Sequence, residues 1–492
     1  EDIKTIFYYI GKVVFAISIL MIFPLIVSLI SREWSPALNI TASMFFGASI
    51  GLLLDILCKT KRELNWGHGL AVAALSWLAA MFIGALPLFL SGHFASYLDA
   101  CFDAMSGFAT TGLALISDVD HLSDGINMWR HFIMFLGGQG IIVVGLTFLL
   151  RGTAGTYRMY VGEARDEKIM PNVVQTARFI WIVSLVYLVI GTLSLFFAGL
   201  LEGMPAGRSF FHGMWMFMAA FDTGGFTPQS QSILYYHSPM IETIIAALMV
   251  LGTINFALHF AIWNRNTKEL TKNIEIRALL ASIFAIFVLA IIGLKQFGSY
   301  PHFLSMFRKG FFQILSAHSG TGFMTISSGQ FVSDWGPLGM LAVTFAMAFG
   351  GSACSTCGGI KALRIGIFFK ALIQDIKKLI TPGTAIISQK FHHIKDSFLE
   401  DRFVRSVFII ILSYIITYVI GTIVGMIYGF SLYESLFESV SAAANVGLSC
   451  GITSPSMPTV MKVVYIIQMW VGRLEFMSIF ALIGLIVAGI KR

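Results

Sequence analysis

The chain has 492 residues, of which 57% are hydrophobic and only 12% carry a formal charge. Soluble domains carry about 25% charged residues, so this composition excludes a soluble globular protein. The net charge of +7 could suit nucleic acid, but the basic residues are spread over many short loops. We therefore expect contact with the membrane lipid bilayer and no nucleic acid.

Ten apolar stretches are predicted to cross a membrane, because a spanning helix needs about 20 apolar residues. The first is long for a signal peptide and lacks a small-residue cleavage site, so we expect it to be retained. In chain order the predicted spans are residues 6–30, 37–58, 67–90, 127–150, 178–201, 240–263, 277–297, 336–364, 404–428 and 460–488.

Basic residues concentrate in alternate loops between these spans. This asymmetry predicts a multi-pass protein with both termini in the cytoplasm. The inner side would carry Lys4, Lys59, Lys61, Arg62, Arg151, Arg158, Arg165, Lys168, Arg265, Lys268, Lys272, Arg277 and the basic residues of 361–405, and the outer side Arg32, Arg208, Arg308 and Lys309.

Four short amphipathic segments lie between spans, and each is followed by a loop with an apolar-flanked glycine. The segments are too short to cross, so we predict re-entrant half-helices, whose loops must be buried in protein or line a wet cavity. The segments are residues 94–107, 208–221, 304–317 and 431–443, and their loops read FATTGL (108–113), FDTGGF (221–226), HSGTGF (318–323) and AANVGL (443–448).

Four corresponding loops are what an ion selectivity filter requires, since it needs a ring of backbone carbonyls around one axis. Inward-pointing carbonyls demand backbone angles that glycine accepts at positive φ. One such glycine alone would be an ordinary helix C-cap, but four in register favour a filter that binds K⁺. The predicted filter residues are Thr110, Thr111, Gly112 and Leu113, then Thr223, Gly224, Gly225 and Phe226, then Gly320, Thr321, Gly322 and Phe323, then Asn445, Val446, Gly447 and Leu448.

The eighth predicted span contains a run of small residues. Four glycines among ten residues weaken a helix by roughly 1 kcal/mol each relative to alanine. A broken helix would place a gating loop below the filter, whereas close helix packing is the alternative. The candidate gate residues are Gly350, Gly351, Ser352, Cys354, Ser355, Thr356, Gly358 and Gly359.

Arg473 lies within the last predicted span, where a charge is costly and faces a partner or a wet path. We predict that it faces the pore below the filter as an electrostatic barrier. The alternative is a structural pair with a carboxylate such as Glu438 or Asp222. Arg130, near a span end, is expected to snorkel.

Acidic residues accompany the half-helices and could make the pore mouth negative, although some could cap helices. They are Asp99, Asp103, Asp222, Glu434 and Glu438.

Several local motifs carry a family resemblance: GGQGI (137–141), Gly252 with NFALH (255–259), GGSACSTCGGIKALR (350–364) and VGRLEF (471–476). The chain resembles the Trk/Ktr/HKT potassium transporter superfamily over nearly its whole length. The two helices before the first pore unit make it most similar to the bacterial Trk membrane subunit (TrkH/TrkG type).

The resemblance implies an all-α membrane protein with four pseudo-repeated helix–pore-helix–filter-loop–helix units around one central K⁺ pore. It further implies a homodimer in the bacterial inner membrane, a gating loop in the third unit and a TrkA-like cytoplasmic regulatory ring that binds nucleotides. Glycine rather than serine at Gly112 favours K⁺ over Na⁺. The predicted domains are 1–62 for the two N-terminal helices, then pore units at 63–165, 166–270, 271–400 and 401–492.

No P-loop, HExxH or GxSxG motif occurs, so we predict no enzyme and no cofactor in this chain. The five cysteines form no disulfide framework, and His392 and His393 are expected to be solvated rather than metal ligands. The basic stretch 361–405 would dock a regulatory subunit or form a solvated hairpin touching lipid headgroups. Two other functions remain open: a K⁺ symporter coupled to H⁺ or Na⁺, and an alternating-access carrier of organic solutes.

Overall fold

The computed structural model describes residues 2–60, 64–143, 159–161, 163, 172–298, 300–382 and 388–490. Nearly all of the secondary structure in these residues is helical, as the predicted all-α membrane fold requires. Six helices are long and apolar enough to cross a membrane, and up to eight spans result if each of two bent helix pairs counts as one.

Three helices precede the first pore unit: α1 (Asp2–Leu20), α2 (Ile22–Ile30) and α3 (Trp34–Leu57). Helices α1 and α2 together form the first span. A Cβ on Gly11 would lie within 3.0 Å of α3, so the absent side chain allows the two backbones to approach closely.

The first pore unit contains α4 (Trp66–Leu90), α5 (Tyr97–Phe108) and α6 (Asp124–Gln139). The second unit consists of α7 (Val173–Leu201), α8 (Ala206–Phe221), a 3₁₀ turn (Ser232–Tyr236), α9 (Pro239–Thr253), α10 (Phe256–Trp263) and the short α11 (Glu269–Lys272).

The third unit consists of α12 (Ile274–Phe297), α13 (Phe303–His318), α14 (Ser328–Asp334), α15 (Gly336–Ala348) and α16 (Ala362–Ile380), followed by the antiparallel hairpin β1 (Lys390–His393) and β2 (Lys395–Phe398). The fourth unit consists of α17 (Asp401–Ile427), α18 (Leu432–Ala443), α19 (Thr459–Arg473) and α20 (Met477–Ile490).

The four half-helices α5, α8, α13 and α18 lie within three residues of their predicted bounds. Serine hydroxyls cap two of them: Ser96 accepts from the Asp99 N–H, and Ser431 forms a capping box with Glu434. In these two half-helices, a capped start and the following loop therefore fix the length of the helix.

Several of the ten predicted spans are not continuous helices, and only the break in the eighth was expected. The sixth predicted span bends by 101° between α9 and α10, and the tenth bends by 108° between α19 and α20. The eighth is helical only to Ala348 and continues as a loop over 349–361, and residues 144–150 of the fourth lie outside the described part of the chain. Helix α6 also ends at Gly140, which has φ 96°, so the second helix of each unit is interrupted.

The stretch predicted as a long cytoplasmic loop is also more ordered than expected. It begins with the 19-residue helix α16 and ends with the β-hairpin, the only sheet in the described residues. Lys390 pairs with Phe398 in this hairpin. The small hairpin is the exception to an otherwise helical fold.

Candidate functional site

Each half-helix ends in the same backbone turn, in which the N–H of the third residue after the helix donates a hydrogen bond to a carbonyl of the last helical turn. This is the Schellman arrangement, and it places a residue of positive φ at the helix end. The bonds are Thr111 to Ser106 O (2.7 Å), Gly224 to Ala219 O (2.8 Å), Thr321 to Ser316 O (3.0 Å) and Val446 to Ser441 O (2.9 Å). The left-handed residues are Thr110, Thr223, Gly320 and Asn445.

Two residues later each loop reaches its predicted glycine, and all four glycines have positive φ, between 73° and 97°. The four loops interlock in a closed cycle, because a Cβ on each glycine would lie under 3.0 Å from a carbonyl oxygen of the next loop. The contacts are Gly112 to Gly224 O, Gly225 to Thr321 O, Gly322 to Val446 O and Gly447 to Thr111 O.

The cycle therefore brings together the four loops that the sequence predicted. Each carbonyl in these contacts belongs to the residue just before the next loop's glycine. The apolar residues after the glycines are buried behind the loops, namely Leu113, Phe226, Phe323 and Leu448.

This arrangement suits a dehydrated cation. Carbonyl oxygens can replace the water of a monovalent cation in a filter. Four helix C-termini also converge here, and each carries roughly half a negative charge in the helix-dipole description. Thr111, Asn445 and the other polar loop residues are buried, so the loops are supported from behind by protein.

Two of the acidic residues beside the half-helices, Asp103 and Glu438, are buried and bind the chain just beyond the glycines of two loops. Asp103 accepts from the Leu115 N–H (3.2 Å) and from Arg130 Nε (3.0 Å), and both charged side chains are at most 1% exposed. The Arg130 guanidinium also lies 4.3 Å from the ring centre of Phe226 in the second loop. The expectation that Arg130 snorkels is therefore wrong.

Glu438 takes the corresponding place in the fourth unit. Its carboxylate accepts from the Cys450 N–H (3.0 Å) and the Thr453 hydroxyl (2.8 Å). Asp103 and Glu438 each stand nine positions before their loop's glycine and bind the backbone three positions after it. The sequence analysis did not identify this repeated contact between a carboxylate and the backbone, although the equal spacing is visible in the sequence.

The remaining acidic residues also have structural partners. Asp99 pairs with Lys462 (2.6 Å), Asp222 accepts from Gln139 Nε2 (2.8 Å) and Glu434 caps α18. Asp99 and Asp222 are buried, so the expected negative pore mouth is not formed by these side chains.

The loop 349–361 lies against the inner ends of all four filter loops. The carbonyl of Thr356 accepts from the Thr110 hydroxyl (3.4 Å), and its own hydroxyl meets that of Thr223 (3.2 Å). A Cβ on Gly320 would lie 3.2 Å from Cys357 Cβ. A Cβ on Gly358 would collide with the carbonyl oxygen of Ala444, just before Asn445 in the fourth loop.

Backbone hydrogen bonds join the two ends of this loop. The Gly350 N–H donates to Ile360 O (2.9 Å), and the Ile360 N–H donates to Ala348 O (3.1 Å). The Ala353 N–H donates to the carboxylate of Glu275 (2.7 Å), a buried residue in the first turn of α12. The predicted break in the eighth span thus produces a folded loop rather than a packed helix.

Arg473 lies where α19 ends, beside this loop. Its guanidinium donates to the carbonyl oxygens of Thr356 and Gly137 (2.7 Å for the latter) and lies 5.7 Å from the ring centre of Trp77. Glu475 follows after a reversal of the backbone, with φ 49°, and forms ion pairs with Lys361 (3.7 Å) and Arg364. The carbonyl contacts place Arg473 between the first unit and the loop.

The two hairpin histidines are not solvated as expected. His392 bridges Asp396 (2.7 Å) and Glu269 (3.0 Å), and His393 lies 3.7 Å from the Glu275 carboxylate. No group of three or more His, Cys, Asp or Glu side chains within the described ranges could hold a metal ion.

Comparison with known proteins agrees with this architecture. The chain is 33% identical over 482 residues to the uncharacterized cation transporter MJ1485 of Methanocaldococcus jannaschii, covering 98% of this chain and 95% of that protein. It is 30% identical to the Trk system potassium uptake protein TrkH of Escherichia coli (strain K12), covering 96% of each.

A solved structure shares the fold. The crystal structure of the potassium transporter TrkH from Vibrio parahaemolyticus superposes with a TM-score of 0.83 at 24% identity, over 98% of both chains. The sequence profile of the TrkH family, described as a cation transport protein, matches residues 36–486. The resemblance drawn from the sequence is confirmed, and the chain belongs to the TrkH family.

Proposed function

We propose that this chain takes up K⁺ across the bacterial cytoplasmic membrane through the ring of four filter loops. The observation that carries the proposal is the closed cycle from Gly112 through Gly225 and Gly322 to Gly447. A cycle of four carbonyl-bearing loops can replace the hydration shell of one cation at a time. The relatives include Trk system potassium uptake proteins, which supports K⁺ as that cation.

The filter would bind K⁺ with backbone oxygens alone. The residues that supply them precede the glycines, so the carbonyls of Thr111, Gly224, Thr321 and Val446 form one layer. Glycine at 112 supports K⁺ over Na⁺, because a side chain there would occupy the space beside the Gly224 carbonyl.

The loop 349–361 would act as the gate, with Arg473 as its electrostatic element. Thr356 contacts the first two filter loops, and Arg473 binds the Thr356 carbonyl. A positive charge beside the path repels cations, and movement of the loop would displace both the obstruction and the charge together.

Other features of the proposal concern assembly. We propose a homodimer with one path per protomer, a multi-pass inner-membrane arrangement with cytoplasmic termini, and control by a TrkA-like nucleotide-binding partner. The relatives' description as parts of a Trk system supports a partner, and the stretch from α16 through the hairpin offers it a folded surface. The chain would move an ion without making or breaking covalent bonds.

Flux measurements test the proposal. The full chain is reconstituted in liposomes, and Rb⁺ and Na⁺ uptake is compared for the wild type, Gly112→Ser and the control Gly203→Ser. Gly203 also has positive φ but has no atom within 4 Å of an added Cβ. Its variant therefore measures the effect of replacing a left-handed glycine without any collision.

We expect wild type and Gly203→Ser to prefer Rb⁺ and Gly112→Ser to lose that preference by roughly tenfold, or about 1.4 kcal/mol. Unchanged selectivity in Gly112→Ser would overturn the filter assignment. Uptake that requires an imposed H⁺ or Na⁺ gradient would replace the channel-like mechanism with a symporter.

A further inference from the structure

An apolar groove lies between α12 and α16 in the third unit. Its volume is about 490 Å³. One wall is a row of small residues on α12, including Ala278, Ala281 and Ala285, and the other includes Ile365 and Phe369 on α16. The small side chains leave room for a chain of methylene groups.

A basic pocket of about 390 Å³ continues from one end of this groove. The two cavities share Ile274, Arg277 and Lys370, so they are neighbours rather than separate sites. Lys272 and Lys390 complete a set of four permanent cations.

The cations of this pocket are not neutralised by ion pairs. Within the described ranges, none of the four has a carboxylate oxygen within 4.0 Å. The Asp396 carboxylate in the same pocket is hydrogen-bonded to His392 and interacts with Lys272 and Lys390 only at longer range. Backbone oxygens orient two of them: Arg277 Nε donates to Thr271 O (2.8 Å), and Lys370 Nζ donates to Lys390 O (2.7 Å). The remaining N–H groups of Arg277 and Lys370 are available to an anion.

Helix α16 places this pair of cavities at a lipid surface. Phe369, Leu372, Ile373 and Ile376 form an apolar stripe at helical spacing, and each is between 46% and 56% exposed. Two lysines, Lys377 and Lys378, end the same helix. An amphipathic helix of this kind lies in the interface between headgroups and acyl chains.

We propose that the groove and the basic pocket together bind one anionic phospholipid. Its phosphate would lie between Arg277 and Lys370, and one acyl chain would lie along Ala278, Ala281 and Ala285. A basic pocket beside spanning helices suits an anionic headgroup, and the adjoining apolar groove distinguishes a lipid from a free phosphate.

The bound lipid would also contact elements that hold the gating loop. Phe349 lines the groove at the residue where α15 gives way to the loop, and Ile365 follows the loop's other end. Occupancy would therefore stabilise one arrangement of the base of the loop. Binding itself is independent of the proposed transport function and can be measured without any flux.

Lipid binding to the purified full chain in detergent tests the site. Native mass spectrometry titrations compare phosphatidylglycerol with phosphatidylcholine of identical acyl chains, and glycerol 3-phosphate serves as the water-soluble anion. The charge variant is Arg277→Gln with Lys370→Gln, and the groove variant is Ala281→Trp. Lys377→Gln with Lys378→Gln removes the same charge from α16 outside both cavities and is the matched control.

We expect wild type to prefer phosphatidylglycerol and the charge variant to bind it roughly thirtyfold more weakly, since each surface cation contributes about 1 kcal/mol. The groove variant should weaken the lipid but not glycerol 3-phosphate, and the control should change little. An equal loss in the control would overturn the site in favour of general charge attraction.

Two other outcomes would also overturn the proposal. If glycerol 3-phosphate binds as tightly as phosphatidylglycerol and Ala281→Trp has no effect, the pocket takes a free anion. If Ala281→Trp instead converts a dimer into monomers without changing lipid binding, the groove is covered by a second copy of the chain. Size-exclusion profiles of every variant separate these results from misfolding.

Discussion

At the end of three half-helices, the residue with positive φ carries a side chain that contacts neighbouring parts of the protein. A left-handed residue with a Cβ costs roughly 1–2 kcal/mol, yet only the third loop uses glycine at the helix end. Thr110 and Thr223 instead contact Thr356, and Asn445 donates to Thr111 Oγ1 (3.1 Å) and Met469 O (2.9 Å). These bonds offset the backbone cost, and those of Thr110 and Thr223 join the ring to the loop 349–361.

Arg473 is the residue whose charge matters most to this account. Replacing it with alanine should raise basal Rb⁺ flux by roughly tenfold to thirtyfold, because unit charges about 8 Å apart repel by about 2 kcal/mol at an effective dielectric constant of about 20. Flux into liposomes without a regulatory partner measures the change. Arg308→Ala removes an arginine of the exposed Arg308–Glu242 pair and should have no such effect. Unchanged or reduced flux in Arg473→Ala would contradict the barrier role.

The buried Asp103–Arg130 pair should be important for stability. Asp103→Ala leaves the Arg130 guanidinium buried without this carboxylate, and breaking a buried pair costs about 3–5 kcal/mol. Glu242→Ala breaks the more exposed pair with Arg308, which should cost at most about 1 kcal/mol. Thermal unfolding in detergent compares the two variants, and equal shifts of the midpoint would refute the difference in stability.

At the scale of elements, the half-helices and the break after α15 were predictable, and the breaks in the other second helices were not. The pore helices are marked by capping serines and terminal glycines, which are local signals. The break between α9 and α10 occurs at Ile254, inside a continuous apolar run, where Asn255 caps the new helix by accepting from the Ala257 N–H (2.8 Å). Hydrophobicity alone treats such a run as one span.

Three of the broken second helices share a tertiary contact that cannot be read from the periodicity of the sequence. Three second helices bring a glycine against the last carbonyl of their own pore helix: Gly137 against Phe108, Gly252 against Phe221 and Gly472 against Ala443. This close approach places the helix ends beneath the filter. The motifs containing these glycines were recognised by resemblance, but their packing role was not.

If the loop 349–361 is the gate, as proposed, two of its glycines should have different effects. A Cβ on Gly351 would collide with Cys357 Sγ inside the loop, whereas one on Gly358 would collide with Asn445 of the fourth filter loop. Gly351→Ala should therefore change flux severalfold with unchanged Rb⁺/Na⁺ selectivity, and Gly358→Ala should change both. Liposome flux measures rate and selectivity together. Loss of selectivity in Gly351→Ala would argue that the loop is part of the filter.

The β-hairpin should respond to pH through His392. The hydrogen bond to Asp396, supported by Glu269, raises the pKa of His392 above its ordinary value of 6.5. Because the pKa is raised by folding, the contact stabilises the hairpin fully at pH values below the pKa of the unfolded chain. The stabilisation is lost as the pH rises through the pKa of His392 in the folded protein. Protection factors for the amides of residues 390–398 should therefore fall as the pH rises above 6.5. In His392→Gln this fall should be absent, and its persistence would exclude the imidazole as the cause.

For the whole molecule, the closed cycle follows from the fourfold repetition of one loop. Equal loops predicted that the glycines would converge, and the contact from Gly447 back to Thr111 completes the circle. The partners of buried charges could not be predicted, because Asp99 meets Lys462 across 363 positions of sequence. Repetition is visible in a sequence, whereas a long-range ion pair depends on how the repeats pack.

Locating a bound cation tests the central claim most directly. Crystals of the protein grown in Rb⁺ would be examined by anomalous scattering. The account predicts a peak on the axis enclosed by the carbonyls of Thr111, Gly224, Thr321 and Val446. Well-ordered filter loops with no Rb⁺ peak between them, or a peak only at another position, would contradict it.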